Sequence, residues 1–433
     1  MRLVLFTNTY PFLPGETFLD DELPILKNFF NEFHIVPLHK GNSVQRPLPE
    51  GIVLEEPLLN FSPKDKLRML WNGIFTTAPL FGGPSYMLKR VRSFKQLRTI
   101  FTFWLLRRSM YSKFSPKTRE LDYIGDTLIY FYWGDKSIML VPVIKHYMPA
   151  AKIVSRFHGS DLYEEVPGII PFRESILPLL DLAVPISDRG EAYFKKNYVS
   201  CMPKRVQVSK LGVLDYKFKD RFIKVTKDPV VARPEVEIAA DRMDKVFNLF
   251  SCSNVIPLKR VGLILKALQL ITPSEIKEFG YDYISWVHIG GGSQLDSLQA
   301  EVDSVSSLAF QVNLLGVMEH ADVVSYYHST PVDLFIQLST SEGIPVSMME
   351  ALCFETPIVA TNVGGVSEIV NSEVGELLPS DPTPQEVKAA IMKFISMSEE
   401  ERQRYRANAR RSFEQNWNAN ENFTSFAALL SSL

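Results

Sequence analysis

The sequence predicts an α/β protein with two doubly wound parallel sheets, one in each half of the chain. Three observations carry this reading. Short apolar runs of strand length alternate with helix-capable stretches in both halves, the pattern of parallel sheets covered on both faces. A polar, proline-interrupted stretch with weak periodicity, residues 217–245, separates the two series. The chain has 433 residues, 46% of them hydrophobic, enough for two or three domains with large cores.

In the first half the apolar runs fall at residues 3–6, 34–38, 128–132, 152–157 and 182–186. The second series begins at 247–251 and continues at 284–289, 312–315, 334–338 and 358–360. Residues 384–433 are helical in pattern, charged from 399 to 411 and apolar from 423 to 430, which suits a terminal segment that returns to the first domain. The expected organisation is a first domain over 1–216, a linker over 217–245, a second domain over 246–405 and a returning helix over 406–433. Two doubly wound domains in sequence make a cleft between their strand ends the natural ligand site.

Composition narrows the function. A net charge of −2 argues against a nucleic-acid binder. Cys201, Cys252 and Cys353 are far apart, show no C-x-x-C spacing, and read as reduced apolar fillers of a cytoplasmic protein. The start, Met1-Arg2-Leu3-Val4-Leu5-Phe6, reads as a first strand rather than a signal peptide. Residues 69–88 are uncharged, but Asn72, Pro79, Gly82, Gly83 and Pro84 interrupt them, and no spanning helix is expected. There is no Asp-x-Asp triple and no paired histidine, so neither a metal nor another cofactor is expected.

The chemistry concentrates in Ser341-Glu342-Gly343-Ile344-Pro345-Val346-Ser347-Met348-Met349-Glu350, between apolar runs at 332–339 and 357–361. That is a strand, helix, strand unit. Pro345 suits the first helical position, where its missing N–H costs nothing. The N–H groups of Val346, Ser347 and Met348 then stand unpaired at a positive dipole end, a ready site for a phosphate. Glu342 precedes that end and Glu350 lies more than one turn inside. A carboxylate accepts hydrogen bonds only, so each suits paired hydroxyls, one set on either side of a diphosphate. Two glutamates at this spacing also occur on ordinary solvated helices, so their company decides.

That company is Pro357-Ile358-Val359-Ala360-Thr361-Asn362-Val363-Gly364-Gly365-Val366-Ser367-Glu368, then Val374-Gly375-Glu376-Leu377-Leu378, in order after the paired glutamates. On these motifs the chain resembles the retaining glycosyltransferases of family 4, in particular those of bacterial surface-polysaccharide assembly. The resemblance implies the GT-B fold, two Rossmann-like domains with the acceptor on the first and the donor nucleotide on the second. It implies that Glu342 holds hydroxyls of the donor sugar and Glu350 the nucleotide ribose, with donor contacts at Gly343, Ile344, Pro345, Val346 and Ser347. Lys259, between a strand end and a helix, is placed to neutralise a departing diphosphate. Where the family has an arginine five or six positions before this lysine, Ser253 and Asn254 stand here, and with Arg260 they are the candidates for phosphate contact. Gly290 and Gly292, in the triplet after the 284–289 run, match the family's loop near the nucleotide. The turn Gly316-Val317-Met318 matches its loop near the base, with Met318 as the contact. His158 fits the family histidine facing the donor sugar, donating to a sugar hydroxyl or to the acceptor, and Gly15 fits the glycine-bearing loop against the phosphates. His158, Lys259 and Glu342 are therefore the catalytic candidates. Retention of anomeric configuration is likewise implied by the resemblance.

Residues 86–120 hold ten Lys or Arg and one acid, interleaved with Phe94, Phe101, Phe103, Trp104, Tyr111 and Phe114. Attachment to an anionic membrane on its inner face fits this pattern, and so does a solvated basic helix whose aromatics pack into the first domain. RNA binding fits less well, since no recognised module surrounds the segment. Taken together, the sequence reads as a cytoplasmic enzyme that moves a sugar from a UDP-, GDP- or other nucleoside-diphosphate sugar to a saccharide or lipid-linked acceptor. Its alternatives are a nucleotide-sugar epimerase and a catalytically silent sugar-nucleotide binder.

Overall fold

A computed structural model describes residues 1–13, 15–16, 18–41, 44–59, 91, 93–121, 126–164, 171–218 and 245–433. The uncharged stretch 69–88, most of the expected linker, and the 86–90 start of the basic segment lie outside the described residues. The chain forms two compact units, Met1–Leu211 with Ala419–Leu433, and Gly212–Asn418.

The first unit holds β1 (Arg2–Thr7), β2 (Glu32–Pro37), β3 (Ile52–Leu54), β4 (Thr127–Phe131), β5 (Lys152–Phe157) and β6 (Leu182–Pro185), in the order β3-β2-β1-β4-β5-β6. The second holds β7 (Val246–Cys252), β8 (Tyr283–Ile289), β9 (Phe310–Leu314), β10 (Leu334–Gln337), β11 (Ile358–Thr361) and β12 (Gly375–Leu378), in the order β12-β11-β10-β7-β8-β9. The pairings within both sheets are parallel. Each sheet thus reverses its winding once, between β1 and β4 and between β7 and β10, and a doubly wound sheet binds ligands at that switch point.

Every apolar run expected as a strand is one. Two strands were not expected, β3 and β12, and both are short and sit at a sheet edge, where half the side chains face away from the core. β9, also at an edge, starts at Phe310 rather than 312 because Gln311 and Asn313 face outward and hide the strand from an apolar count.

The tail is not one returning helix. Glu399–Ser412 and a π turn, Phe413–Trp417, stay with the second unit, Asn418 is extended, and the helix Ala419–Ser431 belongs to the first. The break falls where Val213 N–H donates to the Trp417 carbonyl at 2.9 Å, and Asn422 Nδ2 donates to the Leu211 carbonyl at 2.8 Å. Phe426, Ala427 and Leu430 of the last helix then fill the same core as Leu3, Leu5, Leu19, Leu23 and Tyr130.

That core contains an ion pair. Arg156 of β5 and Glu22 of the helix Leu19–Lys27 meet at 2.6 Å with both side chains fully buried. The guanidinium also lies 4.2 Å from the Phe426 ring centroid, with the Tyr130 and Tyr132 rings on its other sides. The basic segment forms a helix, Phe94–Leu121, whose Ile100, Leu106 and Met110 enter the other core of this unit. No described helix is long and apolar enough to cross a membrane.

Candidate active site

In the second unit the switch point gathers the residues that the sequence singled out. The chain leaves β10 at Gln337 and turns through Ser339, whose carbonyl accepts from Thr361 Oγ1 at 2.6 Å. Glu342 Oε1 then accepts from Lys259 Nζ at 2.6 Å, from Ser339 Oγ at 2.5 Å and from Gln337 Nε2. Lys259 closes a tight turn, Pro257–Lys259, in the loop after β7, so the Lys259–Glu342 pair ties the two loops on either side of the winding reversal. Gln337 Oε1 in turn accepts from Ser347 Oγ at 2.9 Å, which couples Glu342 to the helix Val346–Cys353. Gln337 carried no signal in the sequence, since it sits inside an apolar strand pattern.

The glycine pair after β11 is a clamp. Gly364 has φ +55°, and a Cβ there would stand 1.8 Å from the Glu342 carbonyl oxygen. Gly365 N–H donates to the Gly343 carbonyl at 2.9 Å, whereas a Cβ on Gly343 itself would meet nothing within 4 Å. The 342–344 loop is therefore backed by glycine on one face and open on the other. At the helix start Pro345 is extended, with ψ 121°, and caps the helix from outside. Its carbonyl accepts the Met348 N–H at 3.3 Å, so of the three N–H groups expected to stand unpaired, Met348's is turned back into the chain.

Two further expectations change. Arg260 does not reach toward a phosphate; it braces the site. Its Nε donates to the Leu338 carbonyl at 2.6 Å, Nη2 to the carbonyls of Ser339 and Ser380 at 3.1 and 2.8 Å, and Nη1 pairs with Asp381 at 2.8 Å. A planar fork of donors suits converging carbonyls, and this one is committed to them. Gly290 and Gly292 admit a close approach of protein backbone. A Cβ on either would stand 1.8 Å from the Ser253 carbonyl oxygen or 2.4 Å from that of Val255. Asn254, between them in sequence, is exposed, and Ser253 is half-buried. Beyond this loop Val317 is exposed and Met318 packs at the margin of the core.

His288 fixes that loop from below. Its Nδ1 lies 2.7 Å from Ser251 Oγ and its Nε2 3.1 Å from the Ser253 carbonyl, with the ring fully buried. Burial lowers its pKa from 6.5 to about 4, the Ser253 carbonyl opposing. A neutral histidine in the folded state and a titrating one in the unfolded chain make stability depend on pH. The contribution is full above about pH 6.5 and is lost as pH falls toward about 4, a loss of about 2–4 kcal/mol. Urea unfolding at pH 7 and pH 5 should show a lower midpoint at pH 5, and His288→Gln should shrink that difference. Identical pH dependence in the two proteins would remove His288 as its source.

Glu350, just over one turn into the helix Val346–Cys353, is buried, and its Oε1 lies 2.7 Å from Nε2 of the half-exposed His320. Burial and then the Glu350 charge push the Cys252 thiol up to about 12, and both raise the Tyr327 hydroxyl as well. Cys252 therefore stays a neutral thiol beside the carboxylate. His320 was not singled out in the sequence; a histidine at the first position of a helix, far from Glu350 in number, gives no local sign of this pairing.

The first unit builds a separate group at its own switch point. Glu16 is buried, with Oε1 accepting from Asn8 N–H and from Trp133 Nε1 at 2.9 Å, and Oε2 from Tyr10 N–H at 2.7 Å. Gly15 is needed beside it because a Cβ would stand 2.7 Å from the Phe12 carbonyl oxygen and 2.8 Å from Thr9 Oγ1. His158 follows β5 and caps the short turn Gly159–Leu162; its N–H donates to Asp161 Oδ1 at 2.5 Å. The imidazole lies 4.2 Å from the Trp133 ring and 5.2 Å from Tyr132, centroid to centroid. Arg173, which the sequence reading passed over, holds this turn by donating to the carbonyls of Leu162, Gly134 and Asp161. The structure thus joins Lys259, Glu342, Gln337 and Ser347 in one hydrogen-bonded group, with Glu350 farther along the helix of Ser347 and paired with His320 from another helix, His320–Ser329, and sets Gly15 and His158 in the first unit.

Residues 238–412 match the family described as Glycosyl transferases group 1. Over 456 aligned residues, covering 100% of both chains, the protein is 21% identical to the putative colanic acid biosynthesis glycosyltransferase WcaL of Salmonella typhimurium. It is 22% identical over 251 residues to the amylovoran biosynthesis glycosyltransferase AmsK of Erwinia amylovora, covering 56% of this chain and 55% of that one. Among solved structures, Anabaena Alr3699/HepE in complex with UDP aligns over 100% of both chains with a TM-score of 0.62 and 16% identity. The fold is GT-B.

Proposed function

We propose that this glycosyltransferase, which carries the group 1 domain over residues 238–412, is a retaining enzyme of family 4 that moves a hexose-type sugar from a nucleoside diphosphate to a saccharide or lipid-linked acceptor in surface-polysaccharide assembly. The observation that carries the reading is the hydrogen-bonded group of Lys259, Glu342, Gln337 and Ser347 at the switch point of the donor-side sheet. Relatives named for colanic acid and amylovoran synthesis support the polysaccharide role.

In this reading Glu342 takes hydroxyls of the donor sugar and Glu350 takes the ribose, displacing His320. The Val346 end of the helix Val346–Cys353 and the Lys259 ammonium hold the diphosphate. As the bond to the leaving diphosphate breaks, negative charge grows on its oxygens, and a preorganised cation and dipole stabilise it there. The acceptor hydroxyl attacks the oxocarbenium-like centre from the face of the leaving group. The departing phosphate takes its proton, and no metal is required in this scheme. His158 donates to a sugar hydroxyl near the reacting carbon.

A panel of UDP-, GDP- and other nucleotide sugars tested by thermal shift identifies the donor, because a ligand that binds only the folded state raises its melting temperature. Release of nucleoside diphosphate that depends on an added saccharide or lipid-linked acceptor then establishes transfer. Donor turnover without any acceptor would instead favour the epimerase. A panel with no stabilising nucleotide sugar would defeat the proposal.

For the acceptor's membrane side we propose peripheral attachment through the start of the helix Phe94–Leu121. Phe94 is 82% and Phe101 49% exposed, with Leu97 also exposed on the same helix and Lys95 and Arg98 exposed between them. Cationic residues near an anionic surface add up to about 1 kcal/mol each and the aromatics insert at the headgroup level. Flotation with phosphatidylserine vesicles should recover the protein at low salt and lose it at high salt. Absent or salt-insensitive flotation would leave this helix as a solvated element.

A further inference from the structure

The carboxylate assigned above to the ribose is held by the protein itself. His320 opens the helix His320–Ser329, and its Nε2 lies 2.7 Å from Glu350 Oε1, with the imidazole 50% exposed and the carboxylate 8%. An ionised carboxylate only accepts, so His320 is the donor. Two other groups feel the Glu350 charge without taking this place. The Cys252 thiol stays neutral and is a weak donor, and the Tyr327 hydroxyl is buried with no hydrogen-bond partner among the described residues.

Tyr216 backs the imidazole from another side. The two rings meet edge to face, with 5.2 Å between centroids and 68° between planes, and Tyr216 is buried. Tyr216 is anchored independently: its carbonyl accepts from Nε2 of His328, on the same helix as His320, at 3.0 Å. Its neighbours are tied down as well, Asp215 to Arg410 at 2.9 Å and Lys217 to Glu355. This segment therefore keeps its place without His320 and serves it as a wall. An imidazole leaving Glu350 turns toward solvent on its exposed side, and the wall keeps it within reach of the carboxylate.

These contacts fit an exchange of donors. Ribose hydroxyls and the imidazole N–H satisfy the same carboxylate, and Oε1 is where His320 stands. As a nucleoside diphosphate departs, His320 takes back the oxygen that the hydroxyls give up. Without the histidine, departure would leave a buried carboxylate short of a donor, and that cost would fall on the leaving step. Release of product limits turnover in many enzymes.

We propose that His320 is a positioning residue that exchanges with ribose hydroxyls on Glu350 and so hastens release of the nucleoside diphosphate. This rests on the glycosyl-transfer reading given above and on its assignment of Glu350 to the ribose.

The test uses the full chain with UDP, GDP, ADP and CDP and their 2′,3′-dideoxy forms, by titration calorimetry and stopped flow. His320→Ala should hold the ribonucleotide that binds about three- to tenfold tighter, through slower dissociation, the worth of one partly exposed charged hydrogen bond. The dideoxy form, which brings no hydroxyl to Glu350, should bind both proteins alike. His320→Gln keeps an N–H donor and should stay within about twofold of the unaltered protein. The exchange is overturned if His320→Ala binds the ribonucleotide no tighter, if the gain comes from faster association, if the dideoxy form tightens equally, or if glutamine acts as alanine does. Each of these outcomes leaves the glycosyl-transfer reading standing. If no nucleotide binds the unaltered protein, that reading fails first and the exchange with it.

Discussion

Glu342→Ala is expected to lower kcat about a hundredfold while changing nucleotide affinity by less than about tenfold. The carboxylate gathers three donors, from Lys259, Ser339 and Gln337, on one oxygen, and the proposed sugar hydroxyls add to them. Removing it frees the sugar to shift by an ångström or so, and a misplacement of that size costs about two orders of magnitude in rate. The diphosphate loses little, because Lys259 keeps its charge and gains freedom to reach the phosphate. Glu350→Ala should divide the other way, weakening nucleotide affinity more than turnover, since the carboxylate it removes faces His320 at 2.7 Å and not the group around Glu342. Isothermal titration with nucleotide and steady-state rates with an identified donor and acceptor measure both. Equal losses of rate and affinity in each variant, or no loss in either, would defeat the division of labour between the two glutamates.

The largest effect on stability is expected at Glu22. Its carboxylate is the ion-pair partner of a guanidinium with no exposure to water, at 2.6 Å. Glu22→Ala leaves that charge buried and unpaired, and breaking a buried pair from one side costs about 3–5 kcal/mol. The pair itself is worth far less, because both charges were taken out of water to make it. Glu22→Leu combined with Arg156→Met should therefore recover most of the loss, with the methionine against Phe426 and Tyr130 in place of the guanidinium. Urea unfolding of the single and double variants decides it: a single-variant cost below about 1 kcal/mol would mean that the charge finds water, and the pair is not sealed as drawn.

The fold was legible because apolar runs mark strands that are covered on both faces. β1, β4, β5, β7, β8 and β10 are of this kind, whereas β3 and β12 are edge strands whose signal is lost and β9 an edge strand whose outward residues shorten it. The candidate site was legible in part. Glu342 and Glu350 stand out because a carboxylate near a helix start needs a reason, and Gly364 and Gly365 because only glycine permits their approach to the Glu342 loop. What stayed hidden depends on distant partners. Gln337, His320 and Arg173 act through contacts made by folding, and nothing in their neighbours along the chain announces them. Arg260 was misread for the same reason: a cation beside Lys259 looks like a phosphate ligand until the carbonyls of Leu338, Ser339 and Ser380 are seen around it.

The helix Ala419–Ser431 has one more effect, on how the protein is made. The second unit, Gly212–Asn418, is continuous in sequence, but the first is not. During synthesis Leu3, Leu5, Tyr130 and the Arg156 guanidinium wait for Phe426 and Leu430, which are translated after the whole second unit. The unit that begins first is thus completed last. A nascent chain stalled before residue 419 would carry a finished second unit and a first unit with its apolar floor open to solvent, a surface that chaperones recognise.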